Sequence, residues 1–265
     1  MRPAHSWGPV WGLLTEAGVK APLLKELCFL GVYRSGARRL WRSLVALAFP
    51  PVCGNCRQVG ALLCANCRAE VIWLREPLCK VCGRTVSRPG LLCTTCRQQR
   101  PLLQRIRAAV LFDGPVPRMI HQMKYNGAFG LAEPLAELMV EAWPTWQEPV
   151  DLVLPVPLHP ERERKRGYNQ AMLLVRHLCA QLGYGTTPAG VRRTKDTRPQ
   201  VGLNQTERLQ NVSGAFFADP ALVAGQRILL VDDVCTTGAT MIATAEALLA
   251  AGAGSVTGYC LARAM

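Results

Sequence analysis

The segment Ile228–Thr240, ILLVDDVCTTGAT, constrains this chain more than any other stretch of its 265 residues. Four apolar residues, Ile228–Val231, read as a buried parallel strand. Asp232 and Asp233 follow at its carboxyl end, the edge at which open α/β sheets bind ligands. Thr236–Thr240 then turns into a helix, and Gly238 permits unusual dihedrals and close approach to the backbone. Successive N–H groups at a helix N-terminus attract an anion, and the hydroxyls of Thr236, Thr237 and Thr240 add donors. A phosphate fits such a cradle. The adjacent acids would repel it; they suit the hydroxyls of a ribose and a Mg²⁺ carried by a pyrophosphate. Acids and cradle side by side therefore predict a sugar phosphate with a metal ion. Ordinary Asp and Thr caps explain a strand–turn–helix without requiring two adjacent acids, three threonines and the glycine together. Cys235 reads as a small hydrophobe, with redox reactivity the alternative.

The surrounding pattern alternates strands and helices. Arg107–Phe112 reads as a strand, Val116–Tyr125 and Leu131–Ala142 as helices, and Asp151–Val156 as a short strand ended by prolines. A charged turn, His159–Gly167, leads into a helix over Tyr168–Leu182. Ser213–Phe217 reads as a strand, Ala239–Ala251 as a helix and Val256–Leu261 as a last strand. This order over residues 105–265 implies an α/β domain with a largely parallel sheet flanked by helices.

Two basic segments belong with the phosphate turn. Arg162, Arg164, Lys165, Arg166, Gly167, Tyr168, Asn169 and Gln170 follow a strand end, where a second phosphate would sit. Arginine suits bidentate contact with a pyrophosphate, Gly167 lets the chain turn, and Asn169 can cap the next helix. Glu161 and Glu163 favour the competing view of a solvated charged helix start. Arg192–Asn211 contains Arg192, Arg193, Lys195, Arg198, Gln200, Asn204 and Arg208. A polar stretch of that length is a lid, a binding loop or disorder. A cationic lid over a departing pyrophosphate would exclude water and stabilise the leaving group.

Eight of the twelve cysteines form four CxxC pairs: Cys53 with Cys56, Cys64 with Cys67, Cys79 with Cys82, and Cys93 with Cys96. Two such turns complete a tetrahedral Cys₄ zinc site, so eight ligands hold two Zn²⁺ ions. The simplest assignment joins the first two pairs and the last two, with crossed pairings open. No ligand position is left vacant, so the sites are expected to be structural. Arg57, Arg68, Lys80, Arg84, Arg97 and Arg100 flank the knuckles, which fits nucleic-acid contact or a plain scaffold.

The 31 basic and 18 acidic residues give a net charge of +13, which points to anionic partners. No apolar stretch approaches the ~18–20 residues that span a bilayer, and the first fifty residues lack the pattern of a secretory signal. The chain is expected to be cytoplasmic, with reduced thiols. Residues 1–49 read as a basic leader. It has an amphipathic helix around Gly36–Ala48, which packs on the cysteine module or lies on a membrane surface.

Ile228–Thr240 resembles the signature of type I phosphoribosyltransferases position by position. The cysteine module together with VLPVPLHPERERKRGYNQ, RRTKDTRPQVGLNQTERLQNVSGAF and ILLVDDVCTTGAT resembles the ComF/GntX family over residues 50–265. The leader falls outside the resemblance and is expected to lie partly outside the natural protein. The resemblance implies a type I phosphoribosyltransferase-like domain over 105–265, preceded by a double zinc-ribbon module over 50–98. It implies phosphoribosyl pyrophosphate as ligand, with Asp232 and Asp233 on ribose and Mg²⁺. Thr236, Thr237, Gly238, Ala239 and Thr240 would hold the 5-phosphate. Arg164, Arg166, Gly167, Asn169 and Gln170 match one basic block, and Gln200, Leu203, Arg208 and Asn211 match the other, with Arg193 beside it. Family members act in the cytosol on single-stranded DNA entering during natural transformation, which implies the competence DNA-uptake machinery as partner. An active transferase and a non-catalytic nucleic-acid-binding or ligand-sensing protein are both compatible with these residues. No general base and no base-binding hood stand out.

Overall fold

Apolar runs buried on both faces build the central sheet. The computed structural model describes residues 50–98, 100–143, 149–195, 207, 211–212 and 214–264. The expected leader helix lies outside these residues, as do Arg198, Gln200, Leu203, Asn204 and Arg208. In chain order, α1 (Ala65–Ala69) and α2 (Thr94–Gln98) belong to the cysteine module. They are followed by β1 (Arg105–Leu111), α3 (Val116–Tyr125), α4 (Ala132–Ala142), β2 (Leu152–Pro155), α5 (Pro160–Arg166) and α6 (Gln170–Leu182). Then come β3 (Val191–Arg193), β4 (Phe216–Ala218), α7 (Pro220–Val223), β5 (Arg227–Cys235), α8 (Ala239–Ala250) and β6 (Ser255–Arg263).

The main sheet has the order β1-β6-β5-β2, and each neighbouring pair is parallel. Alternate side chains leave it in opposite directions. Leu229, Val231, Tyr259 and Leu261 pack on one face with α3, α4 and α6. Ile228, Leu230, Val256 and Cys260 pack on the other with α8. The result is the three-layer α/β arrangement expected from the alternation of elements. β3 and β4 form a separate antiparallel ribbon.

Three boundaries differ from the sequence reading in ways that matter. The strand read as Ile228–Val231 continues through both acids to Cys235, because β6 keeps pairing with it as far as Arg263. The charged turn His159–Gly167 is helix α5. Pro160 starts it, Glu161 and Glu163 lie in its first turn, Arg164, Lys165 and Arg166 lie in its last, and Gly167 ends it with φ 85°. That charge order complements the helix dipole and stabilises a helix that buries nothing. The Ser213–Phe217 strand is β4, shifted to Phe216–Ala218.

The cysteine module and the sheet belong to one compact unit. Trp73 bridges Val110 of β1 in antiparallel fashion. Leu74 N–H donates to Ala109 O at 3.1 Å, Leu111 N–H to Ile72 O at 2.8 Å and Ile106 N–H to Val81 O at 2.6 Å. The module therefore covers an edge strand whose free N–H groups would otherwise template foreign pairing.

At the opposite end of the sheet, Asp151 latches β2 to β5. Its Oδ2 accepts from Arg227 N–H at 2.8 Å and from Nε at 2.9 Å, and its Oδ1 accepts from a terminal guanidinium nitrogen at 2.6 Å. These donors hold the Asp151 carboxyl at about 2, below the ordinary 3.8. A depressed folded-state pKa gives stability that is present above the ordinary value and lost as pH falls through the folded one. Asp151→Asn is expected to lower the urea midpoint near neutral pH, and the difference from wild type is expected to shrink between pH 4 and about 2. Urea titrations across that range measure it.

Candidate functional site

The extended β5 sends its two acids to opposite faces of the sheet. Asp232 lines a small, open depression of about 30 Å³ whose walls include Thr236, Gly238, Ala239 and Thr240, with Cys235 and Cys260 also lining it. Gly238 is the N-cap of α8 with φ 86°, the left-handed region that favours glycine. A Cβ there would also stand 3.2 Å from Ile106 Cδ1. The expected cradle and Asp232 thus share one concavity. Thr237 faces elsewhere: its Oγ1 accepts from Ala239 N–H at 3.3 Å, and it lines a separate cleft.

Asp233 is buried and pairs with Lys124 of α3, Nζ to Oδ1 at 2.9 Å. Burial works against the Lys124 charge, but Asp233 and Asp232 outweigh it and hold the ammonium above its ordinary value. Burial, and then the neighbouring Asp233 charge, push the Asp232 carboxyl up to about 8, against the pull of Lys124. Lys124 is a site residue that the sequence reading left without a role. Its signal is a lysine in the last turn of an otherwise apolar-faced helix.

The first basic segment is tied to the same helix. Tyr168 O–H donates to Met123 O at 2.5 Å, next to Lys124. Arg166 lies over the Tyr125 ring, 5.4 Å from its centroid. Asn169 caps α6 as expected, accepting from Ala171 N–H at 3.0 Å and donating to Val156 O at 3.0 Å. Gln170 is buried, and its Nε2 finds no hydrogen-bond partner among the described residues. Arg164 sits in the last turn of the exposed α5. Arg193 stands in β3 rather than in an open loop. It is buried and stacks on Phe216 at 5.5 Å.

The eight paired cysteines gather into two sets, Cys53, Cys56, Cys64 and Cys67, and Cys79, Cys82, Cys93 and Cys96. Within each set the sulfurs lie within 4.8 Å of one another. This is the uncrossed pairing, and four converging thiols suit tetrahedral zinc. At Cys53 and Cys79 burial opposes ionisation, yet backbone N–H donors lower both thiols to about 6, whereas burial and the neighbouring thiols raise Cys82 and Cys96.

The two sets are also copies of one local design. Cys53 N–H donates to Gln58 O at 2.8 Å and Cys79 N–H to Arg84 O at 2.7 Å. Val52 bridges Val59 as Leu78 bridges Thr85, and α1 follows Cys64 as α2 follows Cys93. Arg57 with φ 68° stands where Gly83 has φ 69°. The second copy is anchored further by Arg107, which donates to Cys79 O and Lys80 O, each at 3.3 Å.

A parallel-sheet phosphoribosyltransferase-type domain joined to a double zinc ribbon is the class of protein that this fold and these sites define. The phosphoribosyl transferase domain model matches residues 165–265 and the double zinc ribbon domain model residues 44–97. The DNA utilization protein YhgH of Salmonella typhimurium is 32% identical over 228 residues, covering 83% of this chain and 100% of that protein. Competence protein F of Haemophilus influenzae is 31% identical over 218 residues, covering 80% and 94%. Competence protein ComFC of Bacillus subtilis is 27% identical over 209 residues, covering 76% and 84%. The chain belongs to the ComF family. Among its described residues, no helix is long and apolar enough to cross a membrane.

Arg57→Gly is expected to raise stability by about 0.5–1 kcal/mol, since relief of the left-handed residue exceeds the added freedom of the unfolded chain. Gly83→Ala is expected to lower it, because its Cβ would meet Ile106 O at 2.7 Å. Urea unfolding of both variants measures the contrast. Stripping zinc with a chelator is expected to speed hydrogen exchange at residues 105–111 by about tenfold or more, as the strand loses its covered edge.

Proposed function

We propose that this protein binds phosphoribosyl pyrophosphate with Mg²⁺ at the carboxyl end of β5 and serves the cytoplasmic handling of single-stranded DNA. The observation that carries the ligand is the shared depression of Asp232 and the Thr236–Thr240 turn. A carboxyl group beside an anion cradle matches ribose hydroxyls beside a 5-phosphate, and a bound Mg²⁺ would draw off the proton that burial favours on Asp232. Mg²⁺ is held by one or two carboxylates together with ligand phosphates, and the half-buried Asp232 is the acid placed for that. Asp233, engaged by Lys124, fixes the end of the strand and brings a cation to the site. Arg164 and Arg166, with Gly167, lie at the carboxyl end of β2 and suit the pyrophosphate. Arg208 extends that role in the second basic segment, whereas Arg193, buried against Phe216, would have to leave its ring to reach the ligand. In a transferase these groups position the sugar and neutralise the departing pyrophosphate.

Relatives named for competence and DNA utilization support the link to DNA uptake. So do exposed aromatic rings paired with arginines. Tyr125 is 65% exposed beside Arg166, and Phe217 is 44% exposed with Arg192 at 4.4 Å from its ring centre. Ring and cation together suit stacked bases and a phosphate backbone. These pairs favour, as a second reading, a nucleic-acid-binding protein that senses the sugar phosphate without turnover.

Titration calorimetry with phosphoribosyl pyrophosphate and Mg²⁺ tests the site. Asp232→Asn combined with Asp233→Asn is expected to weaken binding by about tenfold to a hundredfold, and undiminished binding would sink the assignment. Pyrophosphate release in the presence of single-stranded DNA separates the readings. Release supports the transferase, whereas tight, salt-sensitive DNA binding without it supports the sensor.

A further inference from the structure

We infer that the cleft between the second Cys₄ set and α8 is a second binding site, for a small phosphomonoester with an apolar body. The cleft is open to solvent, with about 130 Å³ of interior space, room for the phosphate end of such a molecule. It is distinct from the depression at Asp232. Three arginines line it, from three parts of the chain: Arg84 in the second knuckle, Arg100 just after α2, and Arg263 at the end of β6.

Arg263 carries the argument. It is 1% exposed, one terminal nitrogen donates to Cys235 Sγ, and its Nε and second terminal nitrogen have no hydrogen-bond partner among the described residues. A buried guanidinium with unmet N–H groups is costly unless an acceptor completes it. Arg84 already donates to Thr95 Oγ1 at 3.3 Å, and Arg100 is exposed at the rim, free to swing inward. A phosphate monoester offers several acceptor oxygens and about two negative charges, which suits converging guanidinium groups better than a single carboxylate does. Leu102, Ile106 and Ile242 give an apolar wall, Cys82 and Cys96 of the second Cys₄ set also line the cleft, and Glu246 is placed to accept from a hydroxyl or amine. A nucleoside monophosphate has this combination of charge, flat body and donors. Thr237 lines the cleft and also receives a hydrogen bond from Ala239 at the start of α8.

The test is calorimetric titration of zinc-loaded full-length protein with adenosine monophosphate, with inorganic phosphate and with adenosine. Saturable binding of the monophosphate is expected, with adenosine about tenfold weaker or worse. Arg84→Gln combined with Arg100→Gln, and separately Leu102→Glu on the exposed wall, are each expected to weaken the monophosphate by about tenfold. Asp232→Asn is expected to leave it unchanged. Zinc content is measured for each variant. If the arginine pair loses zinc, the Leu102→Glu result decides. The inference is overturned if no probe saturates by about 1 mM, which would mean that the arginines only offset the thiolates of the second Cys₄ set. It is equally overturned if adenosine binds as well as its phosphate, if Leu102→Glu changes nothing, or if Asp232→Asn removes the binding, which would place the molecule in the phosphate turn.

Discussion

Everything at the ligand edge depends on the continued pairing of β5 with β6 beyond the last apolar residue. A strand that stopped at Val231 would leave two acids on a loose turn. Held in the ladder to Cys235, they inherit the two-residue alternation of the sheet, and consecutive carboxylates leave on opposite sides. One faces the Thr236–Thr240 turn and the other anchors Lys124. The two groups still repel through the backbone, and a half-buried cation stands beside the second. The start of α8 and the end of α3 thereby meet the same strand from opposite layers.

The basic segment after β2 gains its position from this meeting. Tyr168 bonds to the carbonyl of Met123 and Arg166 covers Tyr125, so the helix that carries Lys124 also seats the arginines. The tripartite site is assembled around one ten-residue helix, α3, rather than around three independent loops.

Much of this was legible from residues alone. Val116–Tyr125 is the helix that its apolar spacing predicts, and the strand–turn–helix at Ile228–Thr240 has the form and glycine conformation its residues require. Spacing offered the uncrossed cysteine sets as the simplest pairing, and the gathered sulfurs decide for it. The rest depended on information that local pattern does not carry. His159–Gly167 has no apolar face, so periodicity could not reveal a helix held by its charge order and its glycine end. The role of Lys124 is a contact between residues 109 positions apart, invisible until the sheet is assembled. The likeness of the two zinc knuckles escaped because it lies in backbone dihedrals, with arginine in one copy and glycine in the other.

The covered edge of β1 has a consequence for the life of the protein in a cell. The strand is seven residues long, and its second half, Ala108–Leu111, is apolar. Its cover is made of loops gathered around two Cys₄ sets of the kind that hold structural zinc. Solubility is therefore tied to metal supply and to the redox state of the thiols. A chain newly made under zinc starvation, or after oxidation of its knuckles, presents an open strand to its neighbours and is driven towards aggregation before any question of ligand arises.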